Sequence, residues 1–441
     1  MSPSTGSRVG IHPETGEPLE VIILNQYYEP DVASTGHLLH ELACELVKLG
    51  FRVQVLTSRP SYGPPETWVD CPMRENLDGV DVRRLWTTRF SKDVLIGRAV
   101  NYLTFMGQLF LRVLLTSRRH SVYLYTTNPP FLSAIGALVS LVRRHRYVIL
   151  LHDAYPQMAV WVGTIREGGL LSKLWHWTNR LCYRRSRQAI VLCQKAKQLV
   201  CRTYLIERDD VHVIPNWADG EMLRKLRKQD SEFARTHGLL DHFVVMYSGN
   251  IGLYYEFETV LGAAERLRDE PFRLVLIGSG GKRGWIEKEI ERRGLMNTLL
   301  LPYQPFEKLN DSLSSADASL VSIDRGIEGI SFPSKLYTSL AVGRPILALS
   351  EPGSELRDLV DGHGVGRFCE LGDIDTMERI IREMIADSEG CDAMGERARA
   401  LFEKGYTKER SAAAYAQVLR HSHPLVREGR VAPHETIGVE R

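Results

Sequence analysis

The sequence predicts an α/β protein with two doubly wound domains, and three observations lead there. At 441 residues the chain exceeds what one hydrophobic core usually supports, since domains tend to run ~100–200 residues. Short apolar runs alternate with helix-length amphipathic segments, as parallel sheets with helical crossovers require. The alternation fades near residue 210 and then starts afresh, so the pattern occurs twice.

Taken in order, residues 1–18 form a polar leader rich in Ser, Gly and Pro. It has no apolar stretch that would serve as a signal peptide and is expected to be disordered. Val21-Ile-Ile-Leu24 reads as the first strand. Leu38, Leu39, Leu42, Ala43 and Leu46 then recur at helical spacing before the strand Val53-Gln-Val-Leu56, completing a βαβ unit. The runs at 147–151 and 189–192 add strands, with the charged and aromatic segment 171–185 helical between them. A linker is expected near Arg208 to Asp219. Beyond it, the runs at 243–247, 273–277, 298–301, 318–321 and 345–348 supply a second parallel sheet. The predicted division is therefore 19–210, then 211–405, then a terminal helix and tail over 406–441, with the polar tail from His421 mobile.

Composition narrows the function classes. A formal net charge of +2 argues against a nucleic-acid binder, which needs a strongly basic surface. The seven cysteines are scattered and include no C-x-x-C pair, which points to reduced thiols in a cytoplasmic protein and away from a metal site. One segment, 94–119, is apolar enough to raise the question of a membrane. Arg98, Asn101, Gln108 and Arg112 interrupt it, whereas a spanning helix needs ~20 mostly apolar residues. It reads instead as a helix turning Leu95, Tyr102, Phe105, Met106, Leu109 and Phe110 toward an apolar phase, with Phe105, Phe110 and Arg112 its leading lipid contacts if that phase is a bilayer. Core packing and peripheral membrane contact both satisfy that pattern.

The densest chemistry lies in Glu328-Gly-Ile-Ser-Phe-Pro-Ser-Lys-Leu-Tyr-Thr-Ser-Leu-Ala-Val-Gly-Arg-Pro-Ile-Leu-Ala348, a polar turn that opens an amphipathic helix and leads into a buried strand. Ser331, Ser334 and Lys335 are placed at the helix N-terminus, where free backbone N–H groups favour an anion and Lys335 adds a full charge. Gly343 ends the helix. Upstream, the turns Gly249-Asn-Ile-Gly252 and Gly278-Ser-Gly-Gly-Lys-Arg283 each follow a strand, where small residues let backbone approach a phosphate. Either also makes an ordinary ligand-free βα turn. His152-Asp153 emerges at the end of a strand, and its bland alternatives are a structural histidine and a turn or cap aspartate.

This set of blocks resembles the GT-B glycosyltransferases of family 4, in the branch that writes Pro-Ser-Lys at the donor site. The likeness extends to Asn25-Gln-Tyr-Tyr-Glu-Pro-Asp-Val-Ala-Ser-Thr-Gly36, Asn128-Pro-Pro-Phe131, His152-Asp-Ala-Tyr-Pro156 and Val213-Ile-Pro-Asn-Trp217, and covers roughly residues 20 to 420. It implies two Rossmann-like domains facing across an interdomain cleft, with the acceptor on the first, the nucleotide sugar on the second, and the terminal helix crossing back to the first. It implies that Gly249, Asn250, Gly252, Gly278, Lys282, Arg283, Ser331 and Ser334 hold the donor. His152 would contact the donor sugar, Asp153 would orient His152 or approach the acceptor hydroxyl, Glu328 would handle the sugar, and Lys335 would hold the diphosphate.

The implied reaction is retaining transfer from a nucleotide sugar, UDP preferred, to a glycan or polyprenyl-diphosphate-linked acceptor in cell-surface polysaccharide biosynthesis. No metal or other cofactor is expected, and the enzyme would sit in the cytoplasm, peripherally on the inner face of the plasma membrane. Departures from the family matter. Many members carry two glutamates around the donor block, and the matching positions here are Ile330 and Thr338. The paired basic residues near the glycine turn are replaced by Asn250 and Tyr255, which leaves Lys335 as the leading phosphate cation with Arg325, Lys282 and Arg283 in reserve. A GT-B sugar-nucleotide epimerase and a non-catalytic scaffold in a polysaccharide assembly complex are the alternatives. A nicotinamide oxidoreductase is disfavoured because the first βα loop lacks G-x-G-x-x-G.

Overall fold

A computed structural model describes residues 9–31, 33–61, 68–90, 95–118 and 120–426. Residues 1–8 of the expected leader, Val94 and Arg119 at the ends of the amphipathic segment, and the tail from 427 onward lie outside the described residues. The chain divides into two compact units, the first running up to Pro215 and resuming at Lys408, the second spanning Asn216–Thr407.

The first unit is built on β1 (Glu20–Leu24), α1 (Ser34–Lys48), β2 (Arg52–Ser58), β3 (Arg74–Leu77), β4 (Val80–Leu85), α2 (Leu95–Thr116), β5 (Ser121–Thr126), α3 (Leu132–Val142), β6 (Arg146–Leu151), α4 (Gln157–Trp161), α5 (Leu170–Arg185), β7 (Gln188–Val191), α6 (Gln194–Tyr204) and β8 (Val211–Val213). The sheet order is β3-β4-β2-β1-β5-β6-β7-β8, parallel except where β3 pairs antiparallel with β4. The strands at its centre are mostly apolar because helices cover both faces; all six residues of β5 are buried. The edge hairpin β3–β4 escapes the sequence pattern because it is rich in charge, as an edge strand should be.

Helix α2 departs from expectation. Phe105, Leu109 and Val113 recur every fourth residue and are buried, so this stripe is core. Tyr102, Met106, Phe110 and Arg112 are only half-buried, and the side chain of Leu95 falls outside the described set. The exposed stripe is a different one, Leu103, Leu111 and Leu115. The pattern is apolar on two faces, so periodicity alone picks out the core stripe and leaves the exposed one unseen.

The second unit contains α7 (Glu232–Thr236), β9 (Phe243–Ser248), α8 (Glu258–Arg266), β10 (Phe272–Ile277), α9 (Arg283–Arg293), β11 (Thr298–Leu301), α10 (Leu309–Ser314), β12 (Ala318–Ser322), α11 (Lys335–Ala341), β13 (Ile346–Ser350), α12 (Glu355–His363), β14 (Gly366–Glu370), α13 (Ile374–Ala386) and α14 (Ser388–Gly405). Its sheet is parallel, in the order β11-β10-β9-β12-β13-β14. A core of Val245, Leu261, Leu274, Leu320, Leu347 and Ile381 lies against it.

The last helix, α15 (Lys408–Ser422), returns to the first unit, where Tyr415 and Leu419 are buried. Two expectations of disorder fail here. Residues 9–18 form a turn closed by the Ile11–Pro18 bridge, with Gly10 N–H bonded to Leu49 O at 2.9 Å. Arg420 donates to Val9 O at 2.8 Å, and His12 Nε2 lies 2.9 Å from Leu425 O. The polar tail from His421 likewise begins ordered, with His423 fully buried. Both stretches are polar but satisfy one another's backbone groups, which composition does not reveal.

Candidate functional site

In the second unit the candidate residues gather at the carboxyl ends of β9, β10 and β12, where ligands bind in open α/β sheets. The turn after β9 and the turn after β10 lie backbone against backbone. Gly249 N–H bonds Ile277 O at 2.9 Å, Ile251 N–H bonds Ser279 O at 2.9 Å, and Lys282 N–H bonds Ile251 O at 3.0 Å. The fit leaves no room for side chains. A Cβ on Gly278 would stand 1.9 Å from Gly249 O, and one on Gly280 2.4 Å from Ile251 O, at φ of +142° and +152°. Gly252 is less confined, since a Cβ there would meet the Asn250 and Tyr254 side chains at 3.1 and 3.3 Å.

Lys335 begins α11 and turns its side chain back along this floor, its Cε 3.5 Å from where a Gly249 Cβ would be. Its ammonium lies 3.6 Å from the centroid of the Tyr255 ring and 4.5 Å from that of Tyr247. Among the described residues no carboxylate pairs with it. Burial lowers its pKa from the ordinary lysine value to about 7. Among those residues two aromatic faces supply the compensation, which is worth ~2 kcal/mol when desolvated. A buried cation so poorly repaid is a poised anion receptor.

The reserve cations are otherwise occupied. Lys282 Nζ donates to Tyr255 O at 2.5 Å and lies 3.2 Å from Asp324 Oδ2. Arg283 donates to Gly278 O at 2.6 Å and to Leu301 O at 3.0 Å. Both therefore stiffen the glycine turns. Arg325 is exposed. Ser334 is the exposed residue just before α11, whereas Ser331 lies earlier, in a turn bridged to Glu328 and not at the helix terminus. Glu328 Oε1 accepts from Leu356 N–H at 3.3 Å in the first turn of α12, so this carboxylate caps a helix. Thr338 donates to Lys335 O at 3.0 Å, within its own helix.

Sequence reasoning passed over three contributors. Tyr247 reads as a core strand residue and Tyr255 as a lost basic residue, yet together they bracket Lys335. Glu256 stands just past the first glycine turn with nothing in its spacing to single it out. Its Oε1 accepts from Thr259 N–H at 2.9 Å, and its Oε2 is buried without a hydrogen-bond partner. Burial raises its pKa, against the Thr259 hydrogen bonds that lower it.

In the first unit, His152 and Asp153 follow β6, and the Thr127 hydroxyl accepts from both their backbone N–H groups at 3.2 and 3.3 Å. The same strand ends are pinned by Asn25, whose Oδ1 accepts from Thr126 Oγ1 at 2.7 Å. The His152 ring is buried, its Nε2 has no hydrogen-bond partner, and burial lowers its pKa to about 4. It is thus a neutral imidazole at physiological pH with one nitrogen uncommitted. In the same unit Trp175 stacks against Phe131 at 4.2 Å and Tyr155 at 5.5 Å between centroids.

Comparison with known proteins agrees with both halves. Residues 35–217 match the model of the glycosyl transferase 4-like domain, and residues 229–401 match that of the glycosyl transferases group 1. The probable glycosyltransferase WbjE of Pseudomonas aeruginosa is 26% identical over 78% of this chain and 84% of its own length. The putative colanic acid biosynthesis glycosyl transferase WcaI of Escherichia coli is 34% identical over 41% of this chain and 45% of its own. Among solved structures, Anabaena HepE in complex with UDP superposes with a TM-score of 0.68 at 16% identity, covering 91% of this chain and 99% of that one. Two consecutive domain models thus account for most of the sequence, and the chain belongs to the glycosyltransferases that join a glycosyl transferase 4-like domain to a group 1 domain on the GT-B fold.

Proposed function

We propose that this glycosyltransferase moves a sugar from UDP to a glycan or lipid-linked acceptor, with retention at the anomeric carbon, in the biosynthesis of a cell-surface polysaccharide. The observation that carries the donor half is Lys335, a buried ammonium with no carboxylate partner among the described residues, set over the Tyr247 and Tyr255 rings with its Cε 3.5 Å from where a Gly249 Cβ would be. A diphosphate entering there would meet a cation that has already given up its water. As the sugar departs, negative charge grows on that diphosphate, and a well-placed electrostatic contact at such a point is typically worth ~2.7–4 kcal/mol. Lys335 is the group assigned to this task.

Retention is the outcome the family resemblance implies. Glu328 caps α12 and Asp324 is engaged with Lys282. The leaving phosphate oxygen would take the acceptor proton on the face it vacates, so the glycosidase arrangement of paired carboxyls is not needed. His152, neutral and with Nε2 uncommitted, is assigned to a sugar hydroxyl, and Asp153 to orienting it or to the acceptor. Metal is not required in this reading, since Lys335 and the turn backbone carry the charge. The seven free cysteines suit a cytoplasmic enzyme. UDP as the base is supported by the UDP bound to HepE, and the polysaccharide setting by the colanic acid role in the description of WcaI.

Calorimetric titration of the purified protein with UDP, GDP, ADP and TDP tests the donor. Micromolar binding of UDP that Lys335→Ala abolishes is the expected result. A clear preference for another base corrects the donor, and equal binding by the variant removes Lys335 from the site. The anomeric configuration of the product, read by NMR, tests retention.

A further inference from the structure

A second cluster of chemistry lies in the first unit, among residues that have no part in sugar transfer. His40 and Cys44 stand four residues apart on α1, so their side chains share one face of the helix. The hairpin between β3 and β4 turns over this face at Asp78 and Gly79, both in the left-handed region at φ of +52° and +88°. The turn is fixed from two sides. Gly79 N–H bonds Asn76 Oδ1 at 3.0 Å within the hairpin, and a Cβ on Gly79 would stand 3.1 Å from the Val47 side chain of α1. Asp78 is thereby carried over His40, and its Oδ2 lies 3.0 Å from His40 Nε2. Cys44 Sγ lies 3.7 Å from the same nitrogen, and the three side chains offer one donor atom each within 4.8 Å of one another. On the other edge of the ring, His40 Nδ1 lies 3.0 Å from the hydroxyl of Tyr28, a buried residue in the chain that follows β1.

A hydrogen-bond chain from Asp78 through His40 to Tyr28 accounts for these contacts but leaves the thiol unexplained. Among the described residues Cys44 hydrogen-bonds only His40, at 3.7 and 3.8 Å, distances too long for more than a weak bond. Imidazole, thiol and carboxylate together are a donor set for tetrahedral zinc, whereas magnesium and calcium take oxygen. Around zinc such ligand atoms stand about 3.4–3.6 Å from one another, as the bond lengths and tetrahedral angles require. The observed 3.0 and 3.7 Å lie on either side of that spacing. The side chain of Asp78 is 67% exposed and able to shift, whereas that of His40 is only 15% exposed and is held by Tyr28. With a metal on Nε2, Nδ1 carries the hydrogen and donates it to the Tyr28 hydroxyl, the outer support that zinc-binding histidines ordinarily have. Cysteine spacing gives no sign of this arrangement, because a single Cys one helical turn from a His forms no C-x-x-C pair.

We propose that His40 Nε2, Cys44 Sγ and Asp78 Oδ2 form a zinc site, with water as the fourth ligand on the solvent side, that clamps the β3–β4 hairpin to α1. Cys44 binds as the thiolate, its proton passing to solvent. The inference does not depend on the donor chemistry.

The test uses the full chain, carrying no affinity tag and stripped with a chelator, titrated with zinc by calorimetry and with cobalt by absorption. Zinc should bind once per chain at micromolar affinity or tighter and raise the unfolding midpoint, and cobalt should show a thiolate-to-metal charge-transfer band. Cys44→Ser should lose that band, and Cys44→Ser and Asp78→Asn should each weaken zinc by about tenfold or more. A chain that binds no zinc, that binds cobalt without the thiolate band, or whose variants bind zinc like the parent would overturn the proposal and leave a plain hydrogen-bond chain. So would several ions per chain with no change in the unfolding midpoint, since the binding would then be adventitious. If the serine variant does not fold, Asp78→Asn, at an exposed turn position, decides alone.

Discussion

The Lys335 ammonium rests 3.6 Å from the centre of the Tyr255 ring and 4.5 Å from that of Tyr247. Its positive charge is therefore held by two aromatic faces. The cost shows in the pKa of about 7.

Lys335→Met should separate stability from function. Replacing an uncompensated buried ammonium with an apolar chain of similar length should raise the unfolding midpoint of the ligand-free protein. Transfer should fall by ~10²–10³, the usual cost of losing one such contact. Scanning calorimetry and steady-state assay measure the two, and a variant that is both less stable and still active would refute the assignment.

Donor affinity should fall as pH rises above about 7. A bound diphosphate raises the Lys335 pKa from its lowered value, so binding takes up a proton wherever the free ammonium is already deprotonated. Affinity is full below pH 7 and lost above it. Titrations in buffers of different ionisation enthalpy count the protons, and no uptake at pH 8 would contradict the placement.

Gly278→Ala should do more damage than Gly252→Ala. The first drives a methyl into Gly249 O at a φ that side chains rarely adopt, whereas the second presses only on the movable Asn250 and Tyr254 side chains. Soluble yield and nucleotide binding by the two variants distinguish them. Equal tolerance would show that the two turns are not locked together.

His152 should contribute to acid lability. Its pKa is about 4 in the fold against 6.5 unfolded, so the unfolded chain binds the extra proton between those values. Its stabilising share is full above pH 6.5 and is lost as pH falls toward 4, by about 3 kcal/mol in all. His145 and His423 titrate in the same sense, so the readout is the difference between the parent and His152→Gln in denaturant midpoints from pH 8 to 4.

Phe105→Ala should cost ~3–5 kcal/mol, as a fully buried aromatic does. Urea unfolding checks it. A near-neutral result would mean that the core stripe of α2 has been misplaced.

Most central strands were legible because parallel sheets bury them on both faces, so runs such as 244–247 and 274–277 are apolar without interruption, but β5 was missed although all six of its residues are buried, because Ser121 and Thr126 and its two tyrosines blur the apolar run. The hairpin Arg74–Leu77 and Val80–Leu85 was not, because an edge strand keeps its charges. Lys335 and the glycine turns announced themselves through residue types that backbone chemistry demands. The roles of Tyr247 and Tyr255 did not, because an aromatic residue beside a strand looks the same whether it packs on leucine or on an ammonium. Ser331 was misplaced by a simpler cause. The sequence marks where a helix is possible, whereas Pro333 and the turn before it delay the start of α11 to Lys335.

Because α15 belongs to the first unit, that unit is interrupted, and its last piece is made only after the entire second unit has been synthesised. During translation the surface of α1 that will receive α15 remains bare. A ribosome that stops early, or a protease that trims the C-terminus past Lys408, thus wounds the half of the protein farthest away in sequence.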